Sequence, residues 1–295
     1  MSSYADVPAG AVPEADAIAR YRRDGFLVLR GVLGPKLVRD CIEAIGGLAS
    51  GRIPRTETEI GFEPGVDAAG LAPDQRQDHI RKFAYYVGDA PALMAAAMAK
   101  PLHDALDRLV GTGRVLFQDM ALIKPPRIGG QKDWHQDAAY FRVSDARLIV
   151  GSWIALDPAS RENGCMEVIP GSHLLGPTAH VAKLDPNQCH IRRDLIRADR
   201  KVAIELAPGD ALIFSSLIHH YTAPNTSGLR RRALQFHFNQ LGMDWTTLED
   251  HRRDFHDERG EYAGCTVQPA PVPPGQEFRY RSDRAIPIVP RADWG

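Results

Sequence analysis

From about Arg114 onward, the chain consists of short apolar runs separated by glycine, proline and asparagine turns. The runs are VLFQDMALIK, LIVGSWIAL, CMEVIP, VAIEL, ALIFSSLIHH and RALQFHF. Runs of this length between turn residues are typical of β-strands, and many short strands after a helical segment favour a barrel or sandwich with helices on one side. The sequence therefore predicts a mainly β fold with flanking helices.

The N-terminal part carries the signals of helices. Residues 14–25 have acids at the start and bases before a terminal glycine, which is the polarity that a short helix prefers. Residues 35–48 place apolar side chains on one stripe, and residues 90–110 are again helical in character. Residues 50–80 have no clear period, so we predict a long loop that could cover a site.

These patterns predict a single domain over residues 14–265, with helical support from 14–110 and a β core from 111–240. Residues 1–13 are small and proline-rich, and we predict a flexible tail there. The proline-rich segment 266–295 is predicted to be a second, extended tail.

Charge and cysteine usage limit the possible settings and partners. The 36 basic and 37 acidic residues leave a formal net charge of -1, so no overall field draws the chain to nucleic acid or an anionic membrane. We predict neither partner. The N-terminus lacks the pattern of a signal peptide, and no apolar stretch approaches the roughly 20 residues of a membrane helix. Cys41, Cys165, Cys189 and Cys265 form no CxxC pair, so we predict free thiols and a reducing, cytoplasmic setting.

A possible metal-binding motif, Trp134-His-Gln-Asp137, follows a Gly-Gly pair. Side chains at i and i+2 of an extended chain share one face, so His135 and Asp137 can reach one point. An imidazole and a carboxylate suit first-row divalent metals, and a second histidine would complete the 2-His-1-carboxylate set of Fe(II) oxygenases. By itself, the motif is more typical of a surface turn with a solvated histidine and aspartate.

Further residues that fit such a site come about 85 positions later. The run ending at residue 220 closes with His219 and His220, and either can supply the third ligand. Arg230, Arg231 and Arg232 then open the next strand. An arginine that points into a barrel needs an anion, and its fork matches a carboxylate. At least two of the three arginines are expected to be solvated.

Over roughly residues 21–240 the chain resembles the phytanoyl-CoA dioxygenase family of Fe(II)- and 2-oxoglutarate-dependent oxygenases. The resemblance is carried by Arg23-Asp-Gly-Phe, Lys124-Pro-Pro, Trp134-His-Gln-Asp137, Leu148-Ile-Val-Gly-Ser-Trp153, Glu162-Asn-Gly-Cys-Met-Glu-Val-Ile-Pro-Gly-Ser-His173, Pro208-Gly-Asp210 and residues 220–225. It implies a double-stranded β-helix of the jelly-roll, cupin-like kind, with its core in residues 111–240.

The resemblance also implies a ligand set. His135 and Asp137 match the proximal metal ligands and His220 the distal one. His220 lies five residues before the turn asparagine, Asn225, as in the family, whereas His219 is one residue off. Strand parity agrees, because His220 shares a face with Thr222.

Arg231, eleven residues after the distal histidine, matches the arginine that holds 2-oxoglutarate, and Thr222 matches its hydroxyl partner. Lys124 and Trp153 match positions that line the cosubstrate pocket, and Gln118 matches a polar pocket position of ectoine hydroxylases. Two of these have alternative roles: Trp153 fits a plain core residue, and Lys124 fits a solvated cation at a strand edge.

The implied activity is oxidative decarboxylation of 2-oxoglutarate to succinate and carbon dioxide, coupled to hydroxylation of a C–H bond in a small molecule. The implied cofactors are Fe(II), 2-oxoglutarate and dioxygen, with ascorbate in support. The carboxylate of Asp137 argues against a halogenase. The alternatives are a non-catalytic jelly-roll binding protein and a cupin-like metal lyase, neither of which needs a cation at Arg231.

The substrate pocket is expected to involve the loops 50–85, 138–147 and 180–201. These and neighbouring segments carry many basic residues, which favour an anionic substrate although acidic residues lie among them. The basic residues are Arg127, Lys132, Arg142, Arg147, Arg192, Arg193, Arg197 and Arg200.

Overall fold

The computed structural model describes residues 4–181, 189–240, 246–265 and 286–287. Its helices are α1 (Ala15–Asp24), α2 (Pro35–Ser50), α3 (Pro91–Ala97), α4 (Lys100–Val110) and α5 (Leu248–Asp254). Its strands are β1 (Asp6–Val7), β2 (Phe26–Leu29), β3 (Glu59–Phe62), β4 (Ile80–Ala84), β5 (Arg114–Lys124), β6 (Lys132–His135), β7 (Val150–Ala155), β8 (Met166–Val168), β9 (His180–Val181), β10 (His190–Ile191), β11 (Val202–Ile204), β12 (Ala211–Ser215), β13 (His220–Thr222), β14 (Arg231–Gln240) and β15 (Ile286–Pro287). Within these ranges, every helix is too short or too polar to cross a bilayer.

Most strands belong to two sheets. The larger sheet runs in the order β1-β2-β12-β7-β14-β5-β4-β3, with β15 beside β5. The smaller sheet runs in the order β11-β8-β13-β6. Phe214 of β12 and Trp153 of β7 share one apolar cluster with Met166 and Val168 of β8, so the two sheets pack face to face. This arrangement is the predicted jelly roll.

The outer face of the larger sheet packs against the N-terminal helices. Leu234, Phe236 and Phe238 of β14 join the cluster that contains the buried faces of α2, α3 and α4. Side chains alternate between the two faces of a strand, so the residues of β14 between these apolar positions must point toward the smaller sheet. The polar set on β14 therefore lies inside the barrel.

Strand register extends this inner polar row onto the neighbouring strands. On β5, Lys124 pairs with Arg231. On β7, Trp153 pairs with Gln235. Paired residues project to the same side of a sheet, so these four side chains share the inner face. The register thus brings together residues more than a hundred positions apart in the chain.

The predicted N-terminal tail is partly wrong. Asp6 and Val7 form β1, which pairs in parallel with Val28 and Leu29 of β2. Val7 and Ala5 are buried in the cluster beneath the helices, and this apolar burial stabilises a segment whose composition predicts a flexible end. The predicted C-terminal tail, 266–295, lies outside the described residues except for 286–287, which pair with β5.

The prediction of four free thiols is also wrong. Cys189 and Cys265, separated by 76 positions, form a disulfide bond. Spacing along the chain does not show which residues meet in space, and this pairing accompanies the docking of residues 246–265 against the turn after β6. The prediction of a reducing setting depended on free thiols, so the disulfide removes its support. Cys41 and Cys165 are free and buried, and burial raises the pKa of each thiol to about 12.

We expect this disulfide to contribute strongly to stability. Replacing Cys189 and Cys265 together with alanine should lower the free energy of unfolding by about 2–4 kcal/mol, because the unfolded chain loses a long closed loop. In a domain of this size that corresponds to roughly 4–16 °C in Tm. Thermal unfolding followed by circular dichroism measures it. A reductant should lower the Tm of the wild type and not that of the double variant; equal Tm values for both proteins would contradict the prediction.

Candidate metal centre and adjoining polar pocket

Two strands of the smaller sheet bring three potential metal ligands together. His135 ends β6 and pairs directly with His220, the first residue of β13. Asp137 begins the 3-10 turn Asp137–Tyr140 that follows β6. The Nε2 atoms of His135 and His220 lie 3.4 Å and 3.5 Å from Oδ1 of Asp137, and all three side chains are buried. The three side chains form a compact set that could hold one metal ion.

Backbone carbonyls orient both imidazoles. Nδ1 of His135 lies 2.7 Å from the carbonyl oxygen of Asp133, and Nδ1 of His220 lies 3.1 Å from that of Ile218. A carbonyl only accepts, so each Nδ1 donates, and the Nε2 of each ring is the atom that faces Asp137. This is the orientation that metal-binding histidines commonly show.

The electrostatics keep the site ready for a cation. Burial, followed by repulsion from His220, lowers the pKa of His135 to about 3, so its imidazole is neutral. Burial by itself raises the pKa of Asp137, but His220 and His237 outweigh it and hold this pKa well below its ordinary value. A neutral imidazole at His135 beside the ionised carboxylate of Asp137 matches the protonation states that ligands of divalent metals require.

His219 points elsewhere. Its Nε2 lies 2.9 Å from the hydroxyl of Thr178, and burial lowers the pKa of its imidazole to about 4. Strand alternation puts His219 and His220 on opposite faces, so the structure brings His220, and not its neighbour, to His135 and Asp137.

Arg231 lies in the inner row without an ion pair among the described residues. Its guanidinium donates from Nη1 to the carbonyl of Leu122 at 3.1 Å and lies 5.1 Å from the ring centre of Trp153. Its Nε is buried without a hydrogen-bond partner in this part of the chain. Burial lowers the pKa of the guanidinium to about 9. A buried guanidinium with unused donors is suited to bind an anion.

The two neighbouring arginines differ from Arg231, because each has a carboxylate of its own. Arg230 lies 2.5 Å from Asp78 at the surface. Arg232 donates twice to Asp157, at 2.7 Å and 2.8 Å. Of the three arginines, Arg231 therefore differs in having no carboxylate partner among the described residues.

The other predicted pocket residues are all buried. Nζ of Lys124 donates to the carbonyl of Gly130, and burial, followed by repulsion from Arg231, lowers the pKa of Lys124 to about 6. Thr222 lies two residues beyond His220 on β13. Oε1 of Gln118 and Nε1 of Trp153 have no hydrogen-bond partner among the described residues. Unsatisfied buried polar atoms on one face indicate a pocket built for a polar ligand.

Three further polar residues belong to this centre. Alternation along β14 predicts that Gln235 and His237 share the pocket-facing side with Arg231, and the structure adds that both reach the second oxygen of Asp137, which the sequence does not indicate. Gln136, between the two proximal ligands, is fully buried and donates from Nε2 to the carbonyls of Gly176 and Leu217. No local pattern indicates the role of Gln136.

Several of the basic residues that suggested an anionic substrate are already paired. Arg147 pairs with Asp145, Arg192 with Asp194 and Glu258, and Arg197 with Asp199. Lys132 differs, because its Nζ lies 2.6 Å from the hydroxyl of Tyr140, whose ring contacts that of His135. The local positive charge is therefore smaller than the sequence suggested.

A sequence profile of the phytanoyl-CoA dioxygenase (PhyH) family matches residues 21–233. The phytanoyl-CoA dioxygenase domain-containing protein 1 homolog of Caenorhabditis briggsae is 32% identical over 269 residues, which cover 79% of this chain and 93% of that protein. The epimerase SnoN, solved in complex with Fe3+, alpha ketoglutarate and nogalamycin RO, has a TM-score of 0.61 at 21% identity, covering 92% of this chain and 97% of SnoN.

EctD of S. alaskensis, solved with 2-oxoglutarate and 5-hydroxyectoine, has a TM-score of 0.62 at 22% identity, covering 88% of this chain and 89% of EctD. These two structural matches show a shared fold. The profile, which covers most of the chain, and the relative from C. briggsae show the family. The chain therefore belongs to the phytanoyl-CoA dioxygenase family, as its motifs indicated, and to the iron- and 2-oxoglutarate-dependent class of oxygenase enzymes.

Proposed function

We propose that this protein is a dioxygenase that converts 2-oxoglutarate to succinate and carbon dioxide and couples this to hydroxylation of a C–H bond in a small molecule. The observation that carries the proposal is Arg231: a buried guanidinium without a carboxylate among the described residues, on the same inner face as the groups that hold Asp137. Its fork is complementary to the far carboxylate of 2-oxoglutarate.

His135, Asp137 and His220 would hold the iron. Their donor set, two imidazoles and one carboxylate, suits Fe(II) and leaves positions for other ligands. When bound, the iron supplies the redox chemistry that activates dioxygen for the oxidation. The carbonyls of Asp133 and Ile218 keep both Nε2 atoms turned inward, so the ligands are oriented before the ion binds.

Arg231, Thr222 and Lys124 would bind the cosubstrate. Arg231 offers Nε and its other unused donors, Thr222 offers a hydroxyl on the same strand as His220, and Lys124 lies opposite Arg231 across β5 and β14. Burial lowers the pKa of both Lys124 and Arg231, and a carboxylate bound between these two cations would counteract that effect. Trp153 packs beside the guanidinium and excludes water from it.

The alternatives account for fewer of these features. A jelly-roll binding protein or a cupin-like metal lyase could use the three metal ligands, but neither needs a buried cation beside them. An anionic substrate stays a prediction, supported now by Lys132 next to His135 rather than by the ion-paired arginines. The compounds in the SnoN and EctD structures are ligands of those enzymes, and we do not assign them to this protein.

A test that needs no substrate is anaerobic binding of 2-oxoglutarate to the Fe(II) protein. We expect a visible metal-to-ligand charge-transfer band that appears only with both components, and slow release of succinate when dioxygen is admitted. A chelator should abolish both signals. The control variant Arg230→Ala should behave as the wild type, because Arg230 pairs with Asp78 outside the pocket. Tight metal binding without a band or succinate would instead favour the binding protein or the lyase.

A further inference from the structure

The two oxygen atoms of Asp137 contact different groups. Oδ1 faces the Nε2 atoms of His135 and His220. Oδ2 lies 2.8 Å from Nε2 of His237 and 3.2 Å from Nε2 of Gln235. His237 and Gln235 are on β14 of the larger sheet, whereas Asp137 follows β6 of the smaller sheet. These contacts therefore join the two sheets at the candidate metal site.

The direction of these hydrogen bonds follows from chemistry. An ionised carboxylate only accepts, so His237 donates through Nε2–H and Gln235 donates through its amide. Nδ1 of His237 has no hydrogen-bond partner among the described residues. Burying a ring nitrogen without a partner costs stability, so the fully buried position of His237 calls for a compensating role.

Aromatic packing holds His237 in one orientation. The rings of Phe141, Phe117 and Phe214 surround its imidazole, at 4.9 Å, 6.1 Å and 6.2 Å between centroids. Across β7, Gly151 pairs with His237, and a Cβ atom at Gly151 would collide with the ring of Phe214. The space around the imidazole is therefore filled, and its Nε2 has a fixed direction toward Asp137.

We propose that His237, assisted by Gln235, is a positioning residue that engages Oδ2 of Asp137 and leaves Oδ1 as the oxygen presented to the metal ion. The inference rests on the proposed function and adds a residue to it. A carboxylate that turned both oxygens to the ion would fill a position needed by 2-oxoglutarate or dioxygen. The two donors on β14 make that rotation unfavourable, because it would break both hydrogen bonds in a buried setting.

Binding of Co(II) to the purified full chain tests this, because the visible spectrum of Co(II) responds to its coordination number. His237→Leu should weaken the Co(II) Kd by about ten- to a hundredfold, the usual cost of losing an outer partner of a metal ligand, and should change the spectrum. His237→Gln should restore most of both, since an amide N–H can reach Oδ2. His103→Leu is the matched control: it removes a half-buried imidazole that bonds the carbonyl of Ala97, and it should change neither.

The outcomes separate this inference from the proposed function. If Asp137→Ala bound Co(II) as tightly as the wild type, the proposed metal site itself would be overturned. Binding that depends on Asp137 but is unchanged in His237→Leu would overturn only the positioning role. Equal losses in His237→Leu and His237→Gln with an unaltered spectrum would show a packing role and overturn it too. If His237→Leu does not fold, Gln235→Met decides: a severalfold weaker Kd supports the proposal, and an unchanged one overturns it.

Discussion

Asp137→Ala is expected to abolish Fe(II)-dependent succinate release and to weaken the Kd for Fe(II) by more than about a hundredfold. Loss of an outer partner of a metal ligand alone costs roughly ten- to a hundredfold in affinity, so loss of the carboxylate ligand itself should cost more. The Nε2 atoms of His135 and His220 would then face an uncharged methyl group instead of Oδ1. Anaerobic titration with Fe(II), followed by a succinate assay under air, measures both effects.

Two further variants locate the third ligand. His220→Ala should be as inactive as Asp137→Ala, because His220 lies beside His135. His219→Ala is the matched control: its imidazole bonds Thr178 on the other face of the strand, so measurable metal binding should remain. If His219→Ala lost the metal and His220→Ala kept it, the distal ligand would be one residue from where we place it.

Arg231→Lys is expected to weaken 2-oxoglutarate binding by roughly ten- to a hundredfold, which corresponds to a lost charge-assisted contact of about 1.5–3 kcal/mol. Lysine keeps the charge at this position but not the fork, and it gives up the stacking against Trp153. The affinity for iron should stay nearly unchanged, because Arg231 lies outside the set of metal ligands. Titration of the anaerobic Fe(II) protein with 2-oxoglutarate measures the change, and the KM in the succinate assay should rise in parallel.

The flanking arginines supply the controls for this prediction. Arg230→Ala removes an exposed ion pair with Asp78, an interaction worth at most about 1 kcal/mol. Arg232→Ala leaves Asp157 without its partner, so it should lower stability while 2-oxoglutarate binding changes little. A large loss of 2-oxoglutarate affinity in Arg232→Ala, with none in Arg231→Lys, would contradict the assignment on β14.

Alternation along a strand was enough to predict much of the site. The period of two puts Arg231, Gln235 and His237 on one face of β14 and Phe236 on the other, and the structure has them so. It also separates His220 from His219. These are local properties of an extended backbone, and they hold wherever the strand lies in the molecule.

Register and docking decided what local patterns could not. The sequence shows three consecutive arginines. Only the fold shows that Asp78 and Asp157 form ion pairs with Arg230 and Arg232, and that Arg231 has no carboxylate partner among the described residues. The hydrogen bond from His237 to Asp137 joins residues 100 positions apart.

By itself, then, the sequence determined the strand-rich architecture, the family and the residue types of the candidate metal site. The tertiary structure alone decided that Cys189 bonds Cys265, that Asp6 and Val7 form a strand, and that His237 holds Asp137. The physical reason is the range of the interactions. Periodicity and turn chemistry act over a few residues, whereas a disulfide, an ion pair or a contact between sheets depends on where distant segments pack.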